Sequence, residues 1–344
     1  MQLNYAILRL VISPSIKNLI NLKAMTTQQK DKIKGLFFGQ AIGDALGLGT
    51  EFLNKTQVKV YYPDKLTKYS QIIKDSFRKQ WKIGEWTDDT DQFLCICNSI
   101  IKTKAVDELA FAKELYSWAE KSPVEIGVTV NNVVFHPNFL QDPYMCSKEV
   151  WVESGRDSAA NGAIMRTSIL GAFEFWNYKE VISNTKKIAK VTHWDPRCIG
   201  SCVITTLLIA NLINNDRMLS LRELIEIGDK YDNRIIYYIE HSTHNNISNL
   251  YLDEEGIIGY TLLALSAGLW AYIHAKDFES GLISVINEGG DADTNGAIAG
   301  SILGAKFGYD SIPKHLIDGL KHKKQLEKKF NEFAEVIKQT KSIK

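Results

Sequence analysis

Apolar residues return with a period near 3.6 along most of the chain, while the two-residue alternation of half-buried strands is scarce. That periodicity predicts helices at about 28–48, 88–102, 107–119, 160–175, 179–191, 198–213, 221–230, 257–275, 278–287, 295–307 and 322–338. In the last of these, Leu326, Phe330, Phe333 and Ile337 form one stripe that should dock on the body while its lysines stay solvated. No Pro/Ser-rich linker interrupts the chain and no repeat of solenoid period is present. The expectation is all-α: a single compact multi-helix domain over 28–340, behind a dispensable leader at 1–27. Three stretches, 52–86, 121–159 and 231–256, are polar and weakly periodic and read as long connections. Connections of that length in a compact domain are usually functional or disordered.

The formal net charge is +1, from 41 basic and 40 acidic residues, so no basic excess is available to neutralise a nucleic acid. Cys95, Cys97, Cys146, Cys198 and Cys202 lack a second pair at zinc-ligand spacing and read as small buried hydrophobes of a reducing compartment. Residues 257–275 hold no Asp, Glu, Lys or Arg and are long enough for a bilayer, but Tyr260, Ser266, Gly268 and His274 suit a buried bundle helix better. Residues 1–30 carry Arg9, Lys17, Lys23 and Lys30 and no acid, and Met25 stands directly before the first good helix. Met25 is therefore expected to be the effective start of a cytoplasmic monomer, organelle import through 1–24 being the alternative.

Two acidic motifs stand where loops enter helices. Residues 84–91 read Gly-Glu-Trp-Thr-Asp-Asp-Thr-Asp, and residues 289–295 read Gly-Gly-Asp-Ala-Asp-Thr-Asn. A plain account of each is a capped, acidic first turn complementing the helix dipole. The chemical account is that neighbouring helix-start carboxylates converge on an ion just beyond the terminus. Gly289 and Gly290 permit the tight backbone that aims Asp291 and Asp293 at one point. Together the motifs offer four carboxylates and two hydroxyls, a suitable oxygen shell for two Mg²⁺ or Mn²⁺ ions. Gly296, Gly300 and Gly304 recur every four residues and give the second helix a smooth face for close packing.

In order along the chain, GLFFGQAIGDALGLGTEF at 35–52, GEWTDDT at 84–90, SAANGAIMRTSILG at 158–171, THWDP at 192–196 and GGDADTNGAIAGSILGAKFG at 289–308 resemble the ADP-ribosylglycohydrolase family. The resemblance implies an all-α fold and a dinuclear Mg²⁺ centre (Mn²⁺ in some members), with Thr87, Asp88, Asp89, Asp291, Asp293 and Thr294 as ligands. It implies that Gly127, Ser158, Asn161 and Gly162 line the diphosphate and ribose of ADP-ribose, with His193 packed near the ligand and Trp194 stacking. Where many relatives have Asp-Ile-Gly-x-Thr, Glu125 begins the motif here, which keeps the carboxylate one methylene further out. Arg166 reads as a buried structural cation paired with an acid.

The resulting expectation is metal-dependent cleavage of the N- or O-glycosidic bond between ADP-ribose and a protein arginine or serine. Glu51 would be acid/base or substrate gate, and Asp88 or Asp89 would position water. Substrate and product are an ADP-ribosylated protein and ADP-ribose, with neither nucleic acid nor membrane as partner. Two other classes fit parts of the pattern. A non-catalytic ADP-ribose-binding protein would bind ligand without turnover, and a dimetal nucleotide phosphohydrolase would release phosphate.

Overall fold

The computed structural model describes residues 25–343. The expected leader lies outside the described residues except for its last three, of which Thr26 caps the first helix and Thr27 begins it. In chain order the helices are α1 (Thr27–Gly47), α2 (Lys55–Tyr61), α3 (Asp88–Thr103), α4 (Glu108–Ala119), α5 (Val128–Val134), α6 (Pro143–Glu153), α7 (Ile164–Thr167) and α8 (Tyr178–Ala189). They continue as α9 (Pro196–Asn215), α10 (Leu221–Gly228), α11 (Arg234–His241), α12 (Thr261–His274), α13 (Phe278–Ile286), α14 (Ala292–Phe307), α15 (Lys314–Gly319) and α16 (Lys323–Ile343). Among the described residues the only β pairing is an isolated bridge between Ala160 and Tyr260.

At the centre α1 and α14 run antiparallel in backbone contact. A Cβ placed on Gly35, Gly39 or Gly43 would lie 2.3, 2.0 or 1.9 Å from the carbonyl oxygen of Gly304, Gly300 or Gly296. Each glycine costs a helix about 1 kcal/mol relative to alanine, and the van der Waals contact of two helix backbones offsets it. The consequence is positional: the C-terminal end of α1, with Asp44 and then Glu51, lies beside the N-terminal end of α14, with Asp291 and Asp293. On the other side Phe37 packs against Phe93 of α3 and against Phe330 and Phe333 of α16. The expected C-terminal stripe, Leu326, Phe330, Phe333 and Ile337, is buried.

Local structure departs from expectation in several places. The helix expected at 160–175 is only α7 followed by a 3-10 turn, Ser168–Gly171. Its start is diverted because Asn161 donates its backbone N–H to Gly259 O (3.0 Å), and its end is broken where Glu174 adopts a left-handed φ of 54°. The same Ala160–Tyr260 bridge delays α12 to Thr261. The three expected connections contain α2, α5, α6 and α11. Their sequence signals are polar rather than periodic: an Asn54–Gln57 capping box starts α2, and Asp142 caps α6 ahead of Pro143. Helix α9 is long and apolar enough to cross a membrane, and 94% of that stretch is buried inside the protein. All five cysteines are buried and unpaired.

Candidate active site

Thr87 stands at the N-cap position of α3, yet its side chain caps nothing. Its hydroxyl lies 3.2 Å from Asp293 Oδ2 and 3.4 Å from Asp89 Oδ2. The start of α3 is held instead from α1: Asp44 accepts from Thr87 N (2.8 Å), Thr90 N (2.9 Å) and Thr90 Oγ1 (2.6 Å). With capping delegated to Asp44, the carboxylates of Asp88 and Asp89 are free to face outward from the helix end. Asp291 likewise occupies the N-cap position of α14 without capping it, and accepts from Asn161 Nδ2 at 2.7 Å. Both first turns are acidic, but neither Thr87 nor Asp291 caps its own helix, so self-capping does not account for either motif.

The second motif is fixed against the first by backbone. Gly289 and Gly290 have φ of 77° and 69°, a region that favours glycine. Gly290 N–H donates to Leu53 O (2.8 Å), and Phe52 N–H donates to Gly290 O (2.7 Å). That clamp sets Glu51 opposite Asp291 and Asp293.

The carboxylates of Glu51, Asp88, Asp89, Glu125, Asp291 and Asp293 line one cavity of about 330 Å³, together with Thr294. Oxygens of Glu51, Glu125 and Asp293 lie within 4.8 Å of one another. Glu51 Oε2, Asp89 Oδ1 and Glu125 Oε2 are buried without a hydrogen-bond partner in the protein. Burial first, and the neighbouring carboxylates second, hold Glu51, Asp88, Asp89 and Asp291 well above the usual carboxylate range. Burial likewise raises Asp293 and Glu125 to about 7. A donor set of hard oxygens, several with no protein partner and in mutual repulsion, fits divalent cations of the Mg²⁺ type.

Gly127, Asn161, Gly162 and His193 also line this cavity. Ser158 does not, but its Oγ lies 3.4 Å from the hydroxyl of Thr129, which does. Thr87 does not line this cavity; it touches Asp89 and Asp293, which do, and lines a neighbouring one. Trp194 departs from expectation: with His193 turned inward, the next side chain turns outward into a groove with Lys179, Lys186, Lys187 and Lys190. Lys190 Nζ lies 4.7 Å from the Trp194 ring centre. Several residues of the site gave no separate signal in the sequence. Asp44 and Thr129 stood inside the motifs that carried the resemblance, but neither had a role assigned to it: the hydrogen bonds of Asp44 to α3 and the place of Thr129 in the cavity wall come from the structure. Gln92 looked like an ordinary helix polar group. Phe52, at the cavity with a φ of 57°, had no local mark beyond its position next to Glu51.

A second cavity of about 450 Å³ adjoins the first and shares Asp88 and Glu125 with it. Glu85, Asp91, Trp81 and Trp86 contribute to its other walls. Asp91 accepts from the indole N–H groups of Trp86 (2.8 Å) and Trp118 (3.0 Å).

The ADP-ribosylglycohydrolase family model matches residues 25–342. An ADP-ribosylarginine hydrolase of Serratia proteamaculans is 28% identical over 312 residues, 86% of this chain and 76% of that protein. The ADP-ribosyl-[dinitrogen reductase] glycohydrolase of Rhodospirillum rubrum is 27% identical over 303 residues, 86% and 92% of the two chains. A solved structure titled ADP-ribosylglycohydrolase-related protein complex shares the fold, with a TM-score of 0.70 at 24% identity, covering 91% of this chain and all of that one.

Proposed function

The chain belongs to the ADP-ribosylglycohydrolase family and is a glycohydrolase-type enzyme; on that premise we propose that it cleaves ADP-ribose from modified protein arginine, using two Mg²⁺ ions or Mn²⁺ in their place. The observation that carries the reading is the convergence of six carboxylates on one cavity, three of their oxygens buried without a partner. Thr87, Asp88, Asp89, Asp291, Asp293 and Thr294 would hold the ions. Bound divalent ions supply Lewis acidity there, lowering the pKa of a water and fixing ribose hydroxyls.

The protein supplies the rest. Asn161 and the Cβ-free backbone at Gly127 and Gly162 suit the sugar and diphosphate, and His193 offers a polar ring edge to them. Positive charge developing on the ribose is tolerated by the surrounding carboxylates. Water adds its oxygen to the anomeric carbon as the carbon–nitrogen bond breaks. Glu51, ionised once cations relieve the crowding of carboxylates around it, would take the water proton, and a proton would return to the guanidine nitrogen, so that ADP-ribose and arginine leave. Arginine is favoured over serine by the second cavity, where the carboxylates of Glu85, Asp88, Asp91 and Glu125 outnumber Lys82 and His322, and where two indoles join the wall, a lining that suits a planar cation. A serine hydroxyl has no use for it.

The test is ADP-ribose release from two proteins, one modified on arginine and one on serine, each with Mg²⁺ and with EDTA. Release from the arginine-linked protein alone, abolished by EDTA, is expected. Release only from serine overturns the arginine assignment, and release in EDTA overturns the metal centre. Tight ADP-ribose binding without release from either replaces the hydrolase with a binding protein.

A further inference from the structure

Arg166, on α7, is fully buried, and among the described residues its guanidinium meets neutral partners and forms no ion pair with a carboxylate. The acid expected as its partner is absent. Its guanidinium instead donates from Nη1 to Gln92 Oε1 and from Nη2 to Thr192 Oγ1, both at 2.5 Å, with its face toward Phe111. An unpaired buried cation costs several kcal/mol, which makes its two neutral acceptors worth following outward.

A guanidinium can only donate, and that fixes the direction of every later hydrogen bond. Toward one side, Gln92 must accept through its oxygen, so its Nε2 donates to Asp88 Oδ2 at 2.7 Å. Toward the other side, Thr192 accepts from Arg166 and keeps its own hydrogen to give. His193 Nδ1, 2.8 Å away, is the acceptor that hydrogen meets. Nδ1 is then unprotonated and the ring proton sits on Nε2. The opposite tautomer would leave the buried Thr192 hydroxyl hydrogen with no acceptor, a loss that hydrogen bonding rarely tolerates. His193 Nε2 is itself buried, has no protein partner and lines the site cavity. A Cβ on Gly162 would crowd it at 3.2 Å, so glycine there leaves the nitrogen open to the cavity.

We propose that Arg166 is a positioning residue joining the two sides of the site: through Gln92 it holds Asp88, and through Thr192 it fixes His193 as an Nε2–H donor to an anionic or hydroxyl oxygen of the ligand. Burial and the Arg166 charge push the His193 pKa down to about 3, which keeps the ring neutral. His193 is thereby a hydrogen-bond donor and neither a base nor a metal ligand. The identity of the accepting oxygen as one of ADP-ribose rests on the function proposed above; the donor direction does not.

Two measurements test it. In the wild-type protein, long-range ¹H–¹⁵N spectra of labelled histidine should show His193 protonated at Nε2 and bare at Nδ1; a proton on Nδ1 overturns the proposal. Calorimetry then separates the two arms. Thr192→Val should weaken ADP-ribose binding about tenfold, the worth of one directed hydrogen bond, and shift the His193 nitrogen resonances while leaving Mg²⁺ affinity alone. Gln92→Leu should weaken Mg²⁺ and leave the His193 tautomer unchanged. Arg166→Met should do both if it folds. If Thr192→Val weakens both ligands alike with His193 resonances unmoved, Arg166 is only a structural cation. If the wild-type protein binds no ADP-ribose, the function proposed above fails, and the tautomer still decides the network.

Discussion

Gly39 of α1 and Gly300 of α14 approach so closely that a methyl on the first would lie 2.0 Å from the carbonyl oxygen of the second. Gly300→Ala in an exposed helix would gain about 1 kcal/mol. Here the sign should reverse, because the new methyl would sit 2.1 Å from Gly39 O and the helices must part. A loss of about 2–3 kcal/mol is expected, as for overpacked cores, read from urea denaturation. Unchanged or raised stability would mean that the two backbones are not in contact.

Asp44 carries a second structural duty, since its carboxylate accepts three hydrogen bonds from the start of α3. In Asp44→Asn one oxygen becomes an NH₂ facing a donor. The cost should be about 2 kcal/mol of stability, and because Asp88 and Asp89 are aimed by this helix start, Mg²⁺ affinity should fall as well. Isothermal titration with Mg²⁺ on the folded variant checks the second effect. A destabilised protein with wild-type Mg²⁺ affinity would separate Asp44 from the site.

These two residues also show what the sequence could convey. Periodicity located the long helices because their buried faces repeat locally, and the two Asp motifs were visible because each is contiguous. Gly35, Gly39, Gly43 and Gly47 have the same four-residue spacing as Gly296, Gly300 and Gly304, yet nothing local says that one stripe meets the other across some 250 residues. Asp44 belongs to the opening motif that carries the resemblance, yet nothing in that motif tells of its acceptor role toward α3. Helix α5 is only seven residues long, and α6 buries little but Pro143, Cys146 and Ser147, so no apolar stripe repeats along it and only Asp142-Pro143 marked its start. Trp194 was misplaced for a similar reason: adjacent residues at a turn face opposite ways, and a motif does not say which one faces in.

The metal-free protein should be acid-stabilised. Asp44, Asp293 and Glu125 are raised to about 7, and Glu51, Asp88, Asp89 and Asp291 are held well above the usual carboxylate range, in each case chiefly by burial. The folded chain therefore keeps protons that the unfolded chain releases near pH 4. Folding binds protons, so stability is greatest below about pH 4 as far as these groups go, and is lost as pH rises through about 7. In EDTA, Tm should fall between about pH 5 and 8, and the increase in Tm caused by saturating Mg²⁺ should be larger at pH 8 than at pH 6. A Tm in EDTA that rises across this range would contradict the packed carboxylate cluster.

Asp293→Ala removes a carboxylate shared between the cation-binding reading and the Thr87 contact. Turnover of ADP-ribosylated protein should be lost, by a factor of about 10³ or more, since an ion held by fewer oxygens no longer orients the bond or the water. Because a buried repulsive charge is also removed, metal-free stability should rise slightly at pH 8. Near-normal turnover by this variant would dispose of the metal centre.

Asp91 offers the sharpest test of the arginine preference, because it lines the second cavity and does not line the first. Its two oxygens accept from the Trp86 and Trp118 indoles, so it both supplies negative charge and sets the indole walls. Asp91→Asn retains one acceptor, turns an NH₂ toward the other indole and removes the charge. A guanidinium-bearing substrate should then bind less well, with KM for an arginine-linked protein raised about 5- to 10-fold, the cost of losing one partly buried cation partner. Free ADP-ribose contains no guanidinium and should bind as before, as measured by calorimetry. Equal losses for both ligands would mean that the substitution has deformed the shared wall at Asp88 and Glu125. An unchanged KM would leave the second cavity without a part in recognising the modified side chain.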